Sequence, residues 1–128
     1  MASAEHKGFA HPDETRTFEK GRIDILKIGG GVEGRMTLEP GWRWSTHVKP
    51  VAGTAWCEAP HFQYHLSGRI HVQMADGTSF EAGPGDVTAL PSGHDAWVVG
   101  NEPWSRSTGA VPVTTRSPDR EEERCGGA

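Results

Sequence analysis

The sequence predicts an all-β protein, an antiparallel β-sandwich or barrel, from three observations. Residues with high strand propensity occur in short runs that are divided by Gly, Pro and Asp. The 128 residues include 17 Gly and 9 Pro, a composition that favours frequent turns over long helices. No stretch carries apolar residues at the i, i+3, i+4, i+7 spacing of an amphipathic helix over three turns.

In the first half of the chain, three runs have the strand pattern, and they cover residues 22–28, 35–38 and 42–47. The first alternates apolar with polar residues and stops at Gly29-Gly30-Gly31, and the second ends at the turn Glu39-Pro40-Gly41. The third places Trp42 and Trp44 on one strand face. Residues 48–60 have no pattern and predict a loop.

In the second half, six runs have the strand pattern, and they cover residues 62–66, 69–74, 79–81, 87–90, 97–99 and 110–113. Ala75-Asp76-Gly77 is a strong hairpin turn between two of them. Residues 15–114 are therefore predicted to form one domain of eight or nine strands. A flexible polar segment, residues 1–14, is expected before it, and a disordered polar tail, residues 115–128, after it.

Composition excludes several classes of function. The formal net charge is -4 and no basic stripe occurs, which argues against nucleic-acid binding. No apolar run is long enough to cross a membrane, and the first residues lack the apolar core of a secretory signal. Cys57 and Cys125 make neither a disulfide framework nor a C-x-x-C motif. We therefore expect a reduced, cytoplasmic protein.

The aliphatic content is low for a chain of this length, and a core this thin would gain from a subunit interface. The strand faces that carry Ile23 with Ile25, and Trp42 with Trp44, are the apolar surfaces that one small domain would have difficulty burying. The sequence therefore predicts a homodimer that packs or exchanges its N-terminal strands.

Three glycine-centred motifs resemble those of the cupin family, whose members are double-stranded β-helices (jelly rolls). Gly85, five residues, then Pro91-Ser92-Gly93 is similar to the start of the second cupin motif. Residues 64–72 (YHLSGRIHV) resemble the hairpin of the first motif, and Glu39-Pro40-Gly41 with His47 resembles its opening. The likeness covers residues 22–113 and implies a cupin fold.

The resemblance implies a metal site, although the usual ligand residues are altered. His47 occupies the first ligand position, Lys49 replaces the second histidine, and His61 stands where a glutamate is usual. In the second motif Ala96 replaces the histidine, but His94 precedes it by two residues and therefore shares its strand face. We expect His47, His61 and His94 to bind a divalent transition metal such as Zn, Fe, Ni, Cu or Mn.

Further side chains are predicted to line the pocket around this metal. The same alternation places Gln63 and His65 on the face of His61, and His71 on the face opposite Ile70 and Val72. The remaining pocket candidates are the aromatic residues, the thiol and the charged groups near the motifs: Trp44, Trp56, Trp97, Cys57, Glu58 and Lys49. Cys57 and Glu58 are alternative metal ligands from the loop, because a thiolate suits soft metals and a carboxylate restores the missing charge.

Two classes of function remain open at this point. One is a metal-dependent enzyme that acts on a small organic molecule, such as an oxygenase, isomerase or lyase. The other is a non-catalytic cupin that binds a small ligand or a metal as a sensor or storage module. A jelly roll hosts both classes, so the fold alone does not choose between them, and no catalytic residue is identified.

Overall fold

The computed structural model describes residues 3–58 and 61–108, and this part forms nine strands and two one-turn helices. The strands are β1 (Glu14–Phe18), β2 (Gly21–Ile28), β3 (Gly31–Leu38), β4 (His61–Ser67), β5 (Arg69–Met74), β6 (Ser79–Ala82), β7 (Val87–Leu90), β8 (His94–Val99) and β9 (Trp104–Thr108). The helices are α1 (Trp44–His47) and α2 (Lys49–Ala52). No helix in the described part of the chain is both long and apolar enough to span a membrane.

The strands form two sheets, and every pairing between them is antiparallel. One sheet has six strands in the order β1-β2-β3-β9-β4-β7, and the other has three in the order β6-β5-β8. The chain passes from one sheet to the other between β4 and β5 at Gly68, whose φ is +70°. A Cβ atom here would collide with the carbonyl of Pro103, so the crossover requires glycine. The predicted all-β antiparallel architecture is confirmed.

Most strands lie where the sequence pattern placed them. β5 and β7 have the predicted bounds, and the turn at residues 75–77 connects β5 to β6. Two strands were not predicted, because β1 lies partly in the polar N-terminal segment and β9 (WSRST) is mostly polar. The strand predicted at residues 110–113 and Cys125 lie outside the described residues.

The strand predicted at residues 42–47 is wrong, because residues from Trp44 onwards form α1. The amides of Thr46 and His47 donate to the carbonyl oxygen of Arg43, at 3.1 and 2.9 Å, so the chain closes a helical turn here. The amide of Ser45 donates to Asp95 Oδ1 on β8 at 3.0 Å, which ties the helix to the smaller sheet. The predicted loop after it contains α2, whose first turn accommodates a proline.

The core lies between the two sheets and closes without a second subunit at the faces named above. Ile23 and Ile25 are each 1% exposed, Trp42 is 3% exposed and Trp44 is 1% exposed. The reason given for a dimer therefore does not hold, because these residues are already buried in the core of a single chain. Exposed large apolar side chains occur instead on the outer face of β4 and β7, at Phe62, Tyr64, Leu66 and Val87.

Candidate functional site

Three potential metal ligands meet at one end of the space between the sheets. Cys57 Sγ and one ring nitrogen each of His61 and His94 all lie within 4.8 Å of one another. His61 is the first residue of β4 and His94 is the first residue of β8, so the two sheets contribute one histidine each. The imidazole centroids are 5.2 Å apart, with the rings at 61° to each other.

Backbone pairing places Cys57 beside His94. The Cys57 amide donates to the carbonyl oxygen of His94 at 2.8 Å, and the Gly93 amide donates to that of Cys57 at 2.8 Å. Ser92 Oγ donates to the carbonyl oxygen of Glu58, the residue after Cys57, and so attaches this segment to the turn before β8. Cys57 is 1% exposed and is disulfide-bonded in this structure, contrary to the prediction from cysteine placement, so its coordination of a metal requires reduction.

The ring of His94 is oriented with Nε2 available to a metal. Its Nδ1 lies 3.1 Å from the carbonyl oxygen of Pro91, which can only accept, so Nδ1 carries the proton. Burial lowers the pKa of His94, against opposing effects from the Pro91 hydrogen bond and from Asp95 and Glu58. Metal-binding histidines typically donate a hydrogen bond from the ring nitrogen that does not bind the metal, because this bond sets both the tautomer and the orientation of the ring.

His61 is held in its neutral form. Its Nε2 lies 3.8 Å from Cys57 Sγ. Burial, together with the positive charges of Arg106 and His94, lowers the pKa of His61 to about 3. A neutral imidazole offers a lone pair to a metal without first losing a proton.

The donor set fits a divalent metal of intermediate softness. One thiolate and two imidazoles are ligands typical of zinc, and three protein ligands leave a position for water or substrate. Ligand atoms around a tetrahedral zinc lie about 3.3 to 3.6 Å apart, given bonds of about 2.0 to 2.3 Å. Shifts of about 1 Å in the side chains would therefore close the present group around an ion.

Both histidines also line a cavity of about 40 Å³ inside the double sheet. Its walls are largely apolar and include Leu38, Ile70, Val72 and Leu90. Trp42 and Trp44 also line the cavity. Trp42 is held against β8 because the Val98 amide donates to its carbonyl oxygen at 3.0 Å, and Trp44 belongs to α1, which is tied to the same strand. Trp44, one of the predicted pocket residues, is therefore part of the lining of this cavity.

Arg106 brings a buried positive charge to the same cavity. It is 1% exposed and sits on β9, where it pairs with His65 of β4 and Met36 of β3. Burial lowers the pKa of Arg106 to about 9, against the opposing charge of Glu33, so the guanidinium remains protonated at neutral pH. Sequence reasoning missed this residue because β9 was not predicted; the available signal was its position two residues after Trp104, which places both side chains on one face of a strand.

Gln63 and His65 point inward, as strand alternation required, but only Gln63 lines the cavity. Trp104 Nε1–H donates to His65 Nδ1 at 2.9 Å, and His65 Nε2 lies 2.9 Å from Thr88 Oγ1. With both ring nitrogens in hydrogen bonds and no exposed surface, His65 has no position left for a metal. Its role here is to satisfy the indole of Trp104.

The other predicted site residues do not belong to the group of three ligand atoms. His47 is in α1, where its Nδ1 contacts the Arg43 backbone and its Nε2 is 3.7 Å from a Glu19 carboxylate oxygen. His71 is on the outer face and stacks on Trp97 at 4.5 Å, with the Arg43 guanidinium 4.1 Å from that Trp97 ring. Three further candidates also lie outside the cavity lining: Lys49, Trp56 and Glu58.

Searches for relatives found no matching family model and no curated protein with significant similarity. Solved structures do match. A protein of unknown function (DUF1255) from Acidithiobacillus ferrooxidans aligns with a TM-score of 0.56 at 16% identity, over 77% of this chain and 88% of that one. A double-stranded β-helix protein from Klebsiella pneumoniae aligns with a TM-score of 0.50 at 19% identity, over 76% and 81%.

An oxalate decarboxylase from Lactobacillus farciminis aligns with a TM-score of 0.54 at 19% identity over 84% of this chain. The chain spans only 34% of that enzyme, so the match concerns one part of a larger protein. At these identities the likeness establishes the fold. The chain is a small, all-β domain with the cupin-like double-stranded β-helix fold.

Proposed function

We propose that the reduced protein binds a divalent transition metal through Cys57, His61 and His94, and that the adjacent cavity receives a small organic molecule. The observation that supports this most directly is the convergence of the three ligand atoms within 4.8 Å, two of them on histidines that line the cavity. A thiolate with two imidazoles favours zinc or copper over manganese, whose preferred ligands are oxygens. The bound metal would supply a Lewis acid facing the cavity.

The test is the metal content of protein purified without a histidine tag and kept reduced. We expect about one zinc per chain, and loss of most of it in Cys57→Ser, His61→Ala and His94→Ala. His71→Ala is the matched control, because His71 is on the outer face and should leave the metal bound. Stoichiometric metal in all three ligand variants would contradict the proposal.

His47→Ala distinguishes this ligand set from the three histidines predicted from the sequence. His47 interacts with Arg43 and Glu19 in α1, so its removal should leave the metal bound. If His47→Ala loses metal while Cys57→Ser retains it, the ligands are His47, His61 and His94, and α1 must move in the bound state.

Whether the bound molecule is transformed divides the two functional classes. A metal-dependent oxygenase, isomerase or lyase is favoured by the apolar cavity, which borders the metal group and would exclude water. Incubating metal-loaded protein with small organic acids and following each by proton NMR separates the classes. A metal-dependent change in a compound supports the enzyme, whereas saturable binding without conversion supports the sensor or storage module.

Two broader expectations accompany this proposal. A cytoplasmic location would keep Cys57 available as a thiolate, and cell fractionation tests it. A homodimer remains a proposal on a changed basis, because four exposed large apolar side chains lie together on the outer face of β4 and β7. Sedimentation at micromolar concentration should give a dimer, and Phe62→Lys should shift it towards monomer; a wild-type monomer would contradict this.

A further inference from the structure

The sulfur atom of Cys57 takes part in one bond and is placed for another, and the two exclude each other. Cys57 is disulfide-bonded in this structure, and its Sγ also lies within 4.8 Å of the ligand nitrogens of His61 and His94. Metals bind cysteine as the thiolate, and a disulfide has no thiolate to offer. The bond at Cys57 therefore decides whether the group presents three ligands to a metal or only two.

Backbone hydrogen bonds attach Cys57 to its neighbours without involving its side chain. Its amide donates to the carbonyl oxygen of His94, and its own carbonyl oxygen accepts from the Gly93 amide, at 2.8 Å each. Reduction of the sulfur leaves these main-chain bonds intact, so the new thiolate would lie beside both imidazoles without any rearrangement of strands. A preorganised site of this kind pays little ordering cost when a metal binds.

The chain itself supplies a thiol for this disulfide. The sequence contains one other cysteine, Cys125, which lies outside the described residues. A thiol in the same chain reacts at the high effective concentration that a covalent connection gives it. An internal disulfide at Cys57 is therefore favoured over a mixed disulfide with a small thiol from solution.

We propose that Cys57 is a redox switch for the metal group: as a thiolate it binds the metal with His61 and His94, and as a disulfide with Cys125 it releases the metal. This inference rests on the proposed function and deepens it by naming the regulation of the same site. With oxidised glutathione as the oxidant, the metal–sulfur bond and the glutathione disulfide break, and the protein disulfide and two glutathione thiols form. Two electrons pass from the two cysteine sulfurs to glutathione. The Cys125 thiol supplies one of the two protons and the solvent supplies the other, and the metal leaves as the free ion.

The coupling between metal and disulfide acts in both directions, because a ligand that binds only one state of a protein stabilises that state. A metal that binds only the reduced protein therefore opposes formation of the disulfide. Half oxidation is reached at a certain ratio of oxidised glutathione to the square of reduced glutathione. Free zinc buffered at about 100 times its Kd should raise this ratio about 100-fold. Calcium, a hard cation that prefers oxygen ligands, should leave the ratio unchanged.

The experiment equilibrates the full chain at a series of glutathione ratios. Peptide mapping without reductant measures the disulfide, and elemental analysis measures the bound zinc. We expect zinc to be lost in proportion to the disulfide formed and to return when dithiothreitol reduces it. Cys125→Ser is the matched control: it keeps all three ligands, so it should bind zinc when reduced and retain it at ratios that empty the wild type.

Two results would overturn the switch: zinc that stays bound while the Cys57–Cys125 disulfide forms, or a disulfide equilibrium that zinc does not shift. Zinc loss from oxidised Cys125→Ser, with glutathione attached to Cys57, would overturn the role of Cys125. If the reduced protein binds zinc through Cys57 but forms no disulfide, the metal proposal stands and the switch alone is wrong. If the reduced protein binds no zinc, both proposals are wrong.

Discussion

Replacing His65 by Phe separates a structural histidine from a ligand. His65 is completely buried, and its ring bridges Trp104 and Thr88 through two contacts of 2.9 Å. Phe preserves the ring but accepts and donates nothing, so the indole N–H of Trp104 would be left buried and unsatisfied. Trp104 itself is only 2% exposed, which prevents water from replacing the lost acceptor.

The expected cost follows from these two bonds. A buried donor without a partner costs about 1 to 3 kcal/mol, and the lost Thr88 bond adds about 1 kcal/mol, because the half-buried hydroxyl can turn to water. His65→Phe should therefore lower the free energy of unfolding by about 2 to 4 kcal/mol, a large part of the usual 5 to 15 kcal/mol.

Urea unfolding of the metal-free protein measures this loss as a lower midpoint at an unchanged slope. The control is His71→Phe, which keeps a ring stacked on Trp97 at the surface and should change stability by less than about 0.5 kcal/mol. A loss below about 1 kcal/mol for His65→Phe would refute the hydrogen-bond argument. A folded His65→Phe protein that has lost its metal would instead make His65 a ligand.

Three further predictions concern the fold and its response to pH. Gly68→Ala should lower the thermal unfolding temperature more than Gly53→Ala does. Both glycines have a positive φ, but only a Cβ atom at residue 68 would collide with another segment of the chain. Equal losses in the two variants would rule out the steric argument. The free energy of unfolding of the metal-free protein should fall by about 1.4 kcal/mol as the pH is lowered from 7.5 to 5.5, through His61 alone. In the unfolded state His61 takes up a proton with a pKa near 6.5, whereas in the native state its pKa is about 3. In His61→Gln, urea unfolding should show a change in the free energy of unfolding between these two pH values that is smaller by about 1.4 kcal/mol. The same pH dependence as in the wild type would contradict the lowered pKa of His61. Burial raises the pKa of Asp24, but hydrogen bonds from Thr15, Arg35 and Arg22 outweigh this effect and lower the pKa overall. Asp24→Asn should therefore lower the free energy of unfolding by about 1 to 3 kcal/mol at pH 7. This difference from the wild type should shrink below about pH 4, where acid protonates Asp24.

Strand alternation carried the sequence-based predictions that succeeded. Period-two geometry is local, so residues 61, 63 and 65 were correctly placed on one inward face, and position 94 on the face of position 96. The turn at residues 75–77 is equally local, because a tight hairpin constrains the residue type directly. The all-β fold followed from these signals together.

Contacts between distant segments decided the rest. Cys57 lies beside His94 because of backbone pairing across about a third of the chain, which no local pattern encodes. His47 lies outside the group of three ligand atoms because residues 44–47 form a helical turn, which a long-range hydrogen bond from the Ser45 amide to Asp95 ties to the smaller sheet. Arg106 reached the cavity because β9 inserts between β3 and β4. Local periodicity states which way a side chain faces on its strand, but only the packing of strands remote in sequence determines which side chains face one another.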